Sequence, residues 1–268
     1  MVEERVAMKQ VFYTYYIRSE WQGRTETPTS IGAKFVKTLD ALSNVDPILA
    51  DWTVSDARNM ALLSLAAARS RMASIIENNI ARDDFDEPSP VYGYHAHARA
   101  GRFKDPRSVM FTLQAGGKRG GDTMLKFGEY DVAPDVSIVT YPLFKAALLA
   151  INAVWPASWA CAQVYRSGAI AVPIDLGGAQ AFRLDSVSQV PSDPTFPDTA
   201  FHIPWIACLS WGLTTGLKLA PEILTERTPD GGLLMSATTD RLDPTNPEHI
   251  RRARILAETL IACTGYRR

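Results

Sequence analysis

The chain has 268 residues, of which 46% are hydrophobic and 21% charged, and its formal net charge is −1. This length and composition allow a sizeable buried core, which excludes an intrinsically disordered protein and makes a stabilising metal or disulfide unnecessary. The 28 basic and 29 acidic side chains are interspersed, whereas a protein that grips phosphates needs clustered Lys and Arg. We therefore expect no nucleic-acid partner.

The N-terminal part of the sequence combines strand and helix patterns. Residues 11–17 are aromatic and β-branched and predict a strand, which a polar segment, residues 18–29, follows. Apolar residues then recur at helical spacing over residues 31–42 and predict an amphipathic helix. Residues 60–81, rich in Ala, Leu, Met and Arg, predict a second helix that leads into an acidic loop, residues 82–90.

The middle of the sequence is typical of an antiparallel meander. Residues 91–98, 109–115 and 124–130 show the alternation of strands, and glycines dominate the connection at residues 116–121. A third helix is predicted over residues 141–155 from its apolar periodicity.

Strand patterns and one more helix complete the chain. Residues 159–165, 205–211 and 233–238 predict strands, and Asn246 followed by Pro247 predicts the start of the last helix. Runs of strands without strict β-α-β alternation favour an α+β fold, with one or more antiparallel sheets packed against several helices.

We expect residues 1–268 to form a single domain. A two-lobed arrangement is the alternative, in which the Pro- and Asp-rich stretch at residues 185–200 is the best candidate linker, although the pattern assigns no boundary.

The cysteines and the N-terminus indicate a cytoplasmic protein. Cys161, Cys208 and Cys263 lie far apart and form neither a CxxC pair nor a metal-ligand pattern, as is typical of buried thiols in a reducing compartment. The first 16 residues lack the apolar core of a signal peptide, and no apolar run reaches the about 18 residues of a membrane span. We expect no membrane partner.

Two patterns raise the question of catalysis. The segment 116–121 contains glycines and Lys118, but its spacing departs from that of a phosphate-binding loop and favours a hairpin. His95 and His97 would share one face of a strand and could start a metal site or a hydrolytic centre, but no third ligand is evident nearby. With no nucleophile motif in the sequence either, we expect a protein that is not an enzyme and needs no cofactor.

The acidic loop is the best candidate for a contact with another protein. It carries an aromatic residue among four carboxylates, and such a patch would be steered towards a basic surface, for example the substrate cleft of a nuclease. A solvated loop is the alternative reading. We also expect Trp21, in the polar segment 18–29, to be an exposed anchor. The predicted partner-binding residues are Asp83, Asp84, Phe85, Asp86, Glu87 and Trp21.

Seven segments spread over nearly the whole chain form a recognisable order. They are YYIRSEWQGRTETP (15–28), VDPILADW (45–52), VMFTLQAGG (109–117), PLFKAALLAINAVWPASWACAQV (142–164), PWIACLSW (204–211), TPDGGLLMSAT (228–238) and DRLDPTNPEHIRRARILAETL (240–260). In this order the segments resemble the immunity protein 52 family of bacterial polymorphic toxin systems. One departure is Pro204, which stands before Trp205 where the family usually has Gly.

The resemblance implies a non-enzymatic antitoxin that protects the producing cell. The expected partner is a cognate nuclease toxin of restriction-endonuclease fold, of the kind often delivered by a type VI secretion system. The mode of inhibition, the stoichiometry and the oligomeric state stay open at this stage.

Overall fold

Strands that pair antiparallel with their neighbours form the frame of the protein. The structure, a computed structural model, describes residues 12–57, 60–82, 85, 87–89, 91–118, 120–128, 132–167, 202–214 and 217–264. The strands in these residues are β1 (Phe12–Trp21), β2 (Thr53–Asp56), β3 (Ala61–Ser64), β4 (Tyr94–Ala100), β5 (Val109–Ala115), β6 (Gly121–Phe127), β7 (Trp159–Ser167), β8 (His202–Leu209), β9 (Leu224–Arg227) and β10 (Leu233–Ser236). The helices are α1 (Pro28–Ser43), α2 (Leu65–Ala68), α3 (Met72–Asn78), α4 (Tyr141–Val154), α5 (Trp211–Thr214) and α6 (Pro247–Thr264), with 3₁₀ turns at Pro47–Leu49, Arg69–Arg71 and Val136–Ile138.

The ten strands of the described residues join into one sheet. Its order is β3-β2-β4-β5-β6-β1-β7-β8-β10-β9, and all of these neighbours are antiparallel. β1 lies in the interior, between β6 and β7, because its aromatic and β-branched residues are buried. The prediction of an α+β fold with an antiparallel sheet is confirmed.

One face of the sheet is covered by α1, α3 and α4. Helix α1 begins after Thr27, whose side chain accepts a hydrogen bond from the backbone N–H of Ser30. The indole N–H of Trp155, just after α4, donates to Oγ1 of Thr38 in α1 at 2.8 Å. Tyr15 of β1 meets the ring of Phe144 in α4 edge to face at 6.3 Å, so this face holds the main core.

The opposite face is divided into two parts. Near one edge α6 packs against β8, and the residues of β8 and β10 that lie on this face, such as Ala207 and Met235, are buried. On β4, β5 and β6 the residues of this face are mostly polar and half-buried or exposed, as expected for an antiparallel sheet with one face towards water. We call this part the outer face; it carries His95, His97, Arg99, Met110, Thr112, Gln114, Asp122 and Met124.

The predicted helix over residues 60–81 is only partly present. Residues 61–64 form β3, which pairs with β2, and helical turns follow over residues 65–78. A short apolar run suits a strand as well as a helix, and the neighbouring strand decides between them. β2 and β9, four residues each, were not predicted.

Within the described part of the chain, none of the helices combines the length and the apolar character that crossing a bilayer requires.

Candidate partner-binding surface

The acidic loop lies at the start of β4. Antiparallel backbone bridges join Ile80 to Tyr94 and Arg82 to Pro88. Phe85 is 87% exposed, and the side chain of Glu87 is also exposed, so both are accessible to a partner. Their role in binding stays a prediction. The other predicted residues of the loop, Asp83, Asp84 and Asp86, lie outside the described residues.

The prediction that Trp21 is an exposed anchor is wrong. Trp21 is the last residue of β1 and is only 7% exposed. It points to the same face as Tyr15 and Ile17, because alternate residues of a strand share a face. There its ring stacks on that of Trp155, with 5.3 Å between centroids and 13° between the planes.

Charged side chains lie over the two rings of this indole pair. The guanidinium of Arg24 lies 5.5 Å from the ring centroid of Trp21, and the ammonium of Lys34 lies 5.3 Å from that of Trp155. Glu26 forms salt bridges with both cations. Although burial opposes the effect, the hydrogen bonds from Lys34 and Arg24 hold the pKa of Glu26 below its ordinary value. The polar segment is therefore fastened to the core.

Two exposed aromatic side chains that the sequence reasoning missed lie beside cations. Phe103, in the loop between β4 and β5, is 64% exposed, with Arg99 and Lys104 near its ring. Trp211, at the start of α5, is 62% exposed, and the guanidinium of Arg227 lies 5.4 Å from its ring centroid. For Phe103, the sequence Arg-Phe-Lys in a loop could have predicted an exposed ring beside cations. For Trp211 there was no such indication, because the pattern of residues 205–211 predicts a strand.

His95 and His97 share the outer face of β4, as their spacing predicts. His95 is half-buried and His97 exposed, and desolvation against the sheet lowers the pKa of both imidazoles. Asp122, two strands away in the same register, opposes this shift at His95. Among the described residues, no three His, Cys, Asp or Glu side chains are grouped so that they could hold a metal ion. His95 and His97 therefore have no third metal ligand beside them among the described residues.

The glycine-rich connection is the hairpin between β5 and β6. Gly116 has a φ of +80°, and a Cβ at Gly117 would lie 2.6 Å from the carbonyl oxygen of Val91. These glycines therefore allow close backbone packing, and the hairpin interpretation is confirmed.

The cysteines that the structure describes are inert. Cys161 and Cys208 are free and buried, and burial raises the pKa of each thiol to about 12. Both are protonated at neutral pH and so are poor nucleophiles. The side chain of Cys263 lies outside the described residues.

In its fold the chain is similar to a solved structure of the Pseudomonas aeruginosa T6SS protein PA0821. The likeness covers 93% of this chain and 76% of that one, with a TM-score of 0.53 and 11% sequence identity. No model of a protein family matches the chain, and no curated protein matches it significantly. The resemblance to the immunity protein 52 family therefore stays a prediction. The comparison establishes that this α+β fold, over nearly its whole length, is one that a T6SS protein also adopts.

Proposed function

We propose that this protein is an immunity protein, which binds a cognate secreted toxin and neutralises it without catalysing a reaction. The fold likeness to a T6SS protein over 93% of the chain carries the proposal. The segments that resemble the immunity protein 52 family point to the same class. In this proposal the protein acts in the cytoplasm and needs no cofactor.

The surface of the described residues suits such a role. Hot spots in protein interfaces are enriched in aromatic and Arg side chains. Here Phe103 is exposed beside Arg99, so it presents apolar area together with a charged donor. A tight complex, with Kd near nanomolar or about −12 kcal/mol, needs only a few anchors of this kind within an interface of about 1,600 Å².

A nuclease toxin of restriction-endonuclease fold is the partner that we propose. A nuclease must attract the phosphates of its substrate, so its cleft is basic. The acidic loop at the start of β4 would be drawn to such a cleft. Contact there would exclude the substrate, whereas contact elsewhere would have to distort the catalytic centre.

Purified protein mixed with the toxin encoded by the adjacent gene tests the proposal. We expect the two to elute together from a sizing column and DNA cleavage by the toxin to fall as the protein approaches stoichiometric amounts. Heat-denatured protein is the control. Unchanged cleavage together with separate elution would contradict the proposed function.

A further inference from the structure

We infer that residues 101–108, the loop between β4 and β5, form a docking element for a protein surface that carries carboxylates beside a Lys or Arg. The inference rests on the proposed function, because the partner is the proposed toxin. We call this segment the β4–β5 loop. It lies at the opposite end of β4 from the acidic loop, and the seven residues of that strand span roughly 23 Å.

An exposed aromatic ring with two cations near it forms the tip of the β4–β5 loop. The guanidinium carbon of Arg99 lies 4.9 Å, and the ammonium of Lys104 5.7 Å, from the ring centroid of Phe103. Arg102 and Lys104 are exposed and Arg99 is half-buried. The ring offers apolar area, and the cations around it offer charge-assisted hydrogen bonds to carboxylates.

The conformation of the β4–β5 loop is held by its own hydrogen bonds. The N–H of Asp105 donates to the carbonyl of Arg102 at 3.2 Å, and that of Ser108 donates to the carbonyl of Asp105 at 2.9 Å. The carbonyl of Pro106 accepts a hydrogen bond from the N–H of Asp135 at 2.8 Å, which ties the loop to the segment that follows β6. Lys104 adopts a left-handed conformation, with a φ of +60°. A loop held in this way loses little entropy on binding.

The acidic and basic side chains of the β4–β5 loop lie in different surroundings. The side chain of Asp105 is turned to the backbone, where Oδ1 accepts the N–H of Arg107 at 2.8 Å. Beside the cationic tip lies a cleft of about 530 Å³, which Asp105 shares with Asp46, Asp51 and Arg107. The surface therefore presents positive charge at its tip and mainly negative charge next to it.

This pairing of opposite charges favours a protein over a nucleic acid. A phosphate backbone is uniformly negative and needs a groove lined by cations along its length. The carboxylates of Asp46, Asp51 and Asp105 would repel it beside the tip. A protein surface can instead place carboxylates against the tip and a Lys or Arg in the cleft, and such complementarity sets specificity and association rate.

The other exposed aromatic side chain lacks this charge pattern. Around Trp211, Arg227 is the cation at the ring, 5.4 Å from its centroid, whereas two cations, Arg99 and Lys104, lie near the ring of Phe103. Trp211 therefore serves as the matched control for Phe103.

Binding of the full chain to the purified adjacent-gene toxin tests the inference. We expect Phe103→Ala to raise Kd by about tenfold or more, because a truncated anchor usually costs at least that. The double variant Arg102→Glu with Lys104→Asn should slow association at low salt, and the difference should shrink as salt screens the charges. Asn is chosen at position 104 because it tolerates a left-handed backbone. Trp211→Ala should stay within about twofold of the unaltered protein.

The outcomes separate this inference from the proposed function. If the unaltered protein binds the toxin while both loop variants bind equally well, the β4–β5 loop is not the docking element and the proposed function stands. Equal losses in Phe103→Ala and Trp211→Ala would also overturn the inference. So would binding of a short duplex DNA that the loop variants abolish. Absence of any complex with the unaltered protein would remove the proposed function, and this inference with it.

Discussion

Trp21 and Trp211 carry the same indole side chain in opposite environments. Trp21 ends β1 on the face of the sheet that α1 and α4 cover, and its ring stacks on Trp155. Trp211 follows β8 and is 62% exposed. The polar neighbours of Trp21, which are Arg, Glu and Gln residues, predict that its side chain is exposed. Residue parity along β1 outweighs the polarity of the neighbours, since the face of a strand is set by alternation.

Truncation of these two side chains should affect stability very differently. We expect Trp21→Ala to lower the free energy of unfolding by about 3–5 kcal/mol, because it removes a buried ring and leaves a cavity against Trp155. Trp211→Ala should change it by no more than about 0.5 kcal/mol, as is usual for an exposed side chain. Urea denaturation followed by circular dichroism measures both. Similar values for the two variants would contradict the burial assigned to Trp21.

At the scale of elements, the hairpin between β5 and β6 shows why a glycine stands where it does. Gly121 is the first residue of β6 and pairs with Trp21 across the ladder. A Cβ at this position would lie 2.5 Å from Cε2 and Nε1 of the Trp21 ring. Sequence patterning identified the glycine-rich connection as a turn, but the close approach of the indole depends on a strand about 100 residues away.

Gly121→Ala should destabilise the protein by about 1–3 kcal/mol, because the added methyl group forces a packed ring to move. Gly212→Ala, in α5, is the matched control, since a Cβ there meets no atom within 4 Å. That change should be neutral or should stabilise by about 0.4–1 kcal/mol through the unfolded chain. Thermal unfolding of both variants gives the comparison, and an unaffected Gly121→Ala protein would show that the indole is free to move.

Other elements show where periodicity is sufficient and where it is not. α1, α4 and α6 appear close to their predicted positions, because each is long and amphipathic and begins with Pro in its first turn. β2 and β9 have four residues each, which is too few to show the alternation of apolar and polar residues that predicts a strand. β3 is a strand because β2 lies beside it.

At the scale of the whole molecule, two loops of different charge flank one strand, although charges are interspersed along the chain and the net charge is only −1. The acidic loop and the β4–β5 loop lie at opposite ends of β4. A partner that covers roughly 800 Å² could reach both, since a square patch of that area has sides slightly longer than the roughly 23 Å of the strand. Long-range electrostatic attraction to the two loops would then orient the partner as well as speed its approach.

Reversal of the acidic loop should slow association with the toxin. Replacement of Asp83, Asp84 and Asp86 by Lys changes the net charge from −1 to +5, since each change adds two charges. We expect a slower association rate at low salt and a smaller loss at high salt. Stopped-flow fluorescence at several ionic strengths measures this. A matched variant with Glu77, Asp240 and Glu258 changed to Lys carries the same net charge, and an equal effect there would assign the attraction to net charge and not to the loop.

The amino-acid sequence by itself determined the fold class, the long helices, most of the central strands and the shared face of His95 and His97, because these follow from local periodicity. It also marked Phe85 and Glu87 as a polar loop with an aromatic residue, and both are exposed. Tertiary structure decided the burial of Trp21, the exposure of Phe103 and Trp211, and the strand at residues 61–64. Each of these depends on contacts between residues distant along the chain, and no local pattern encodes which strand or helix will lie across from a given side chain.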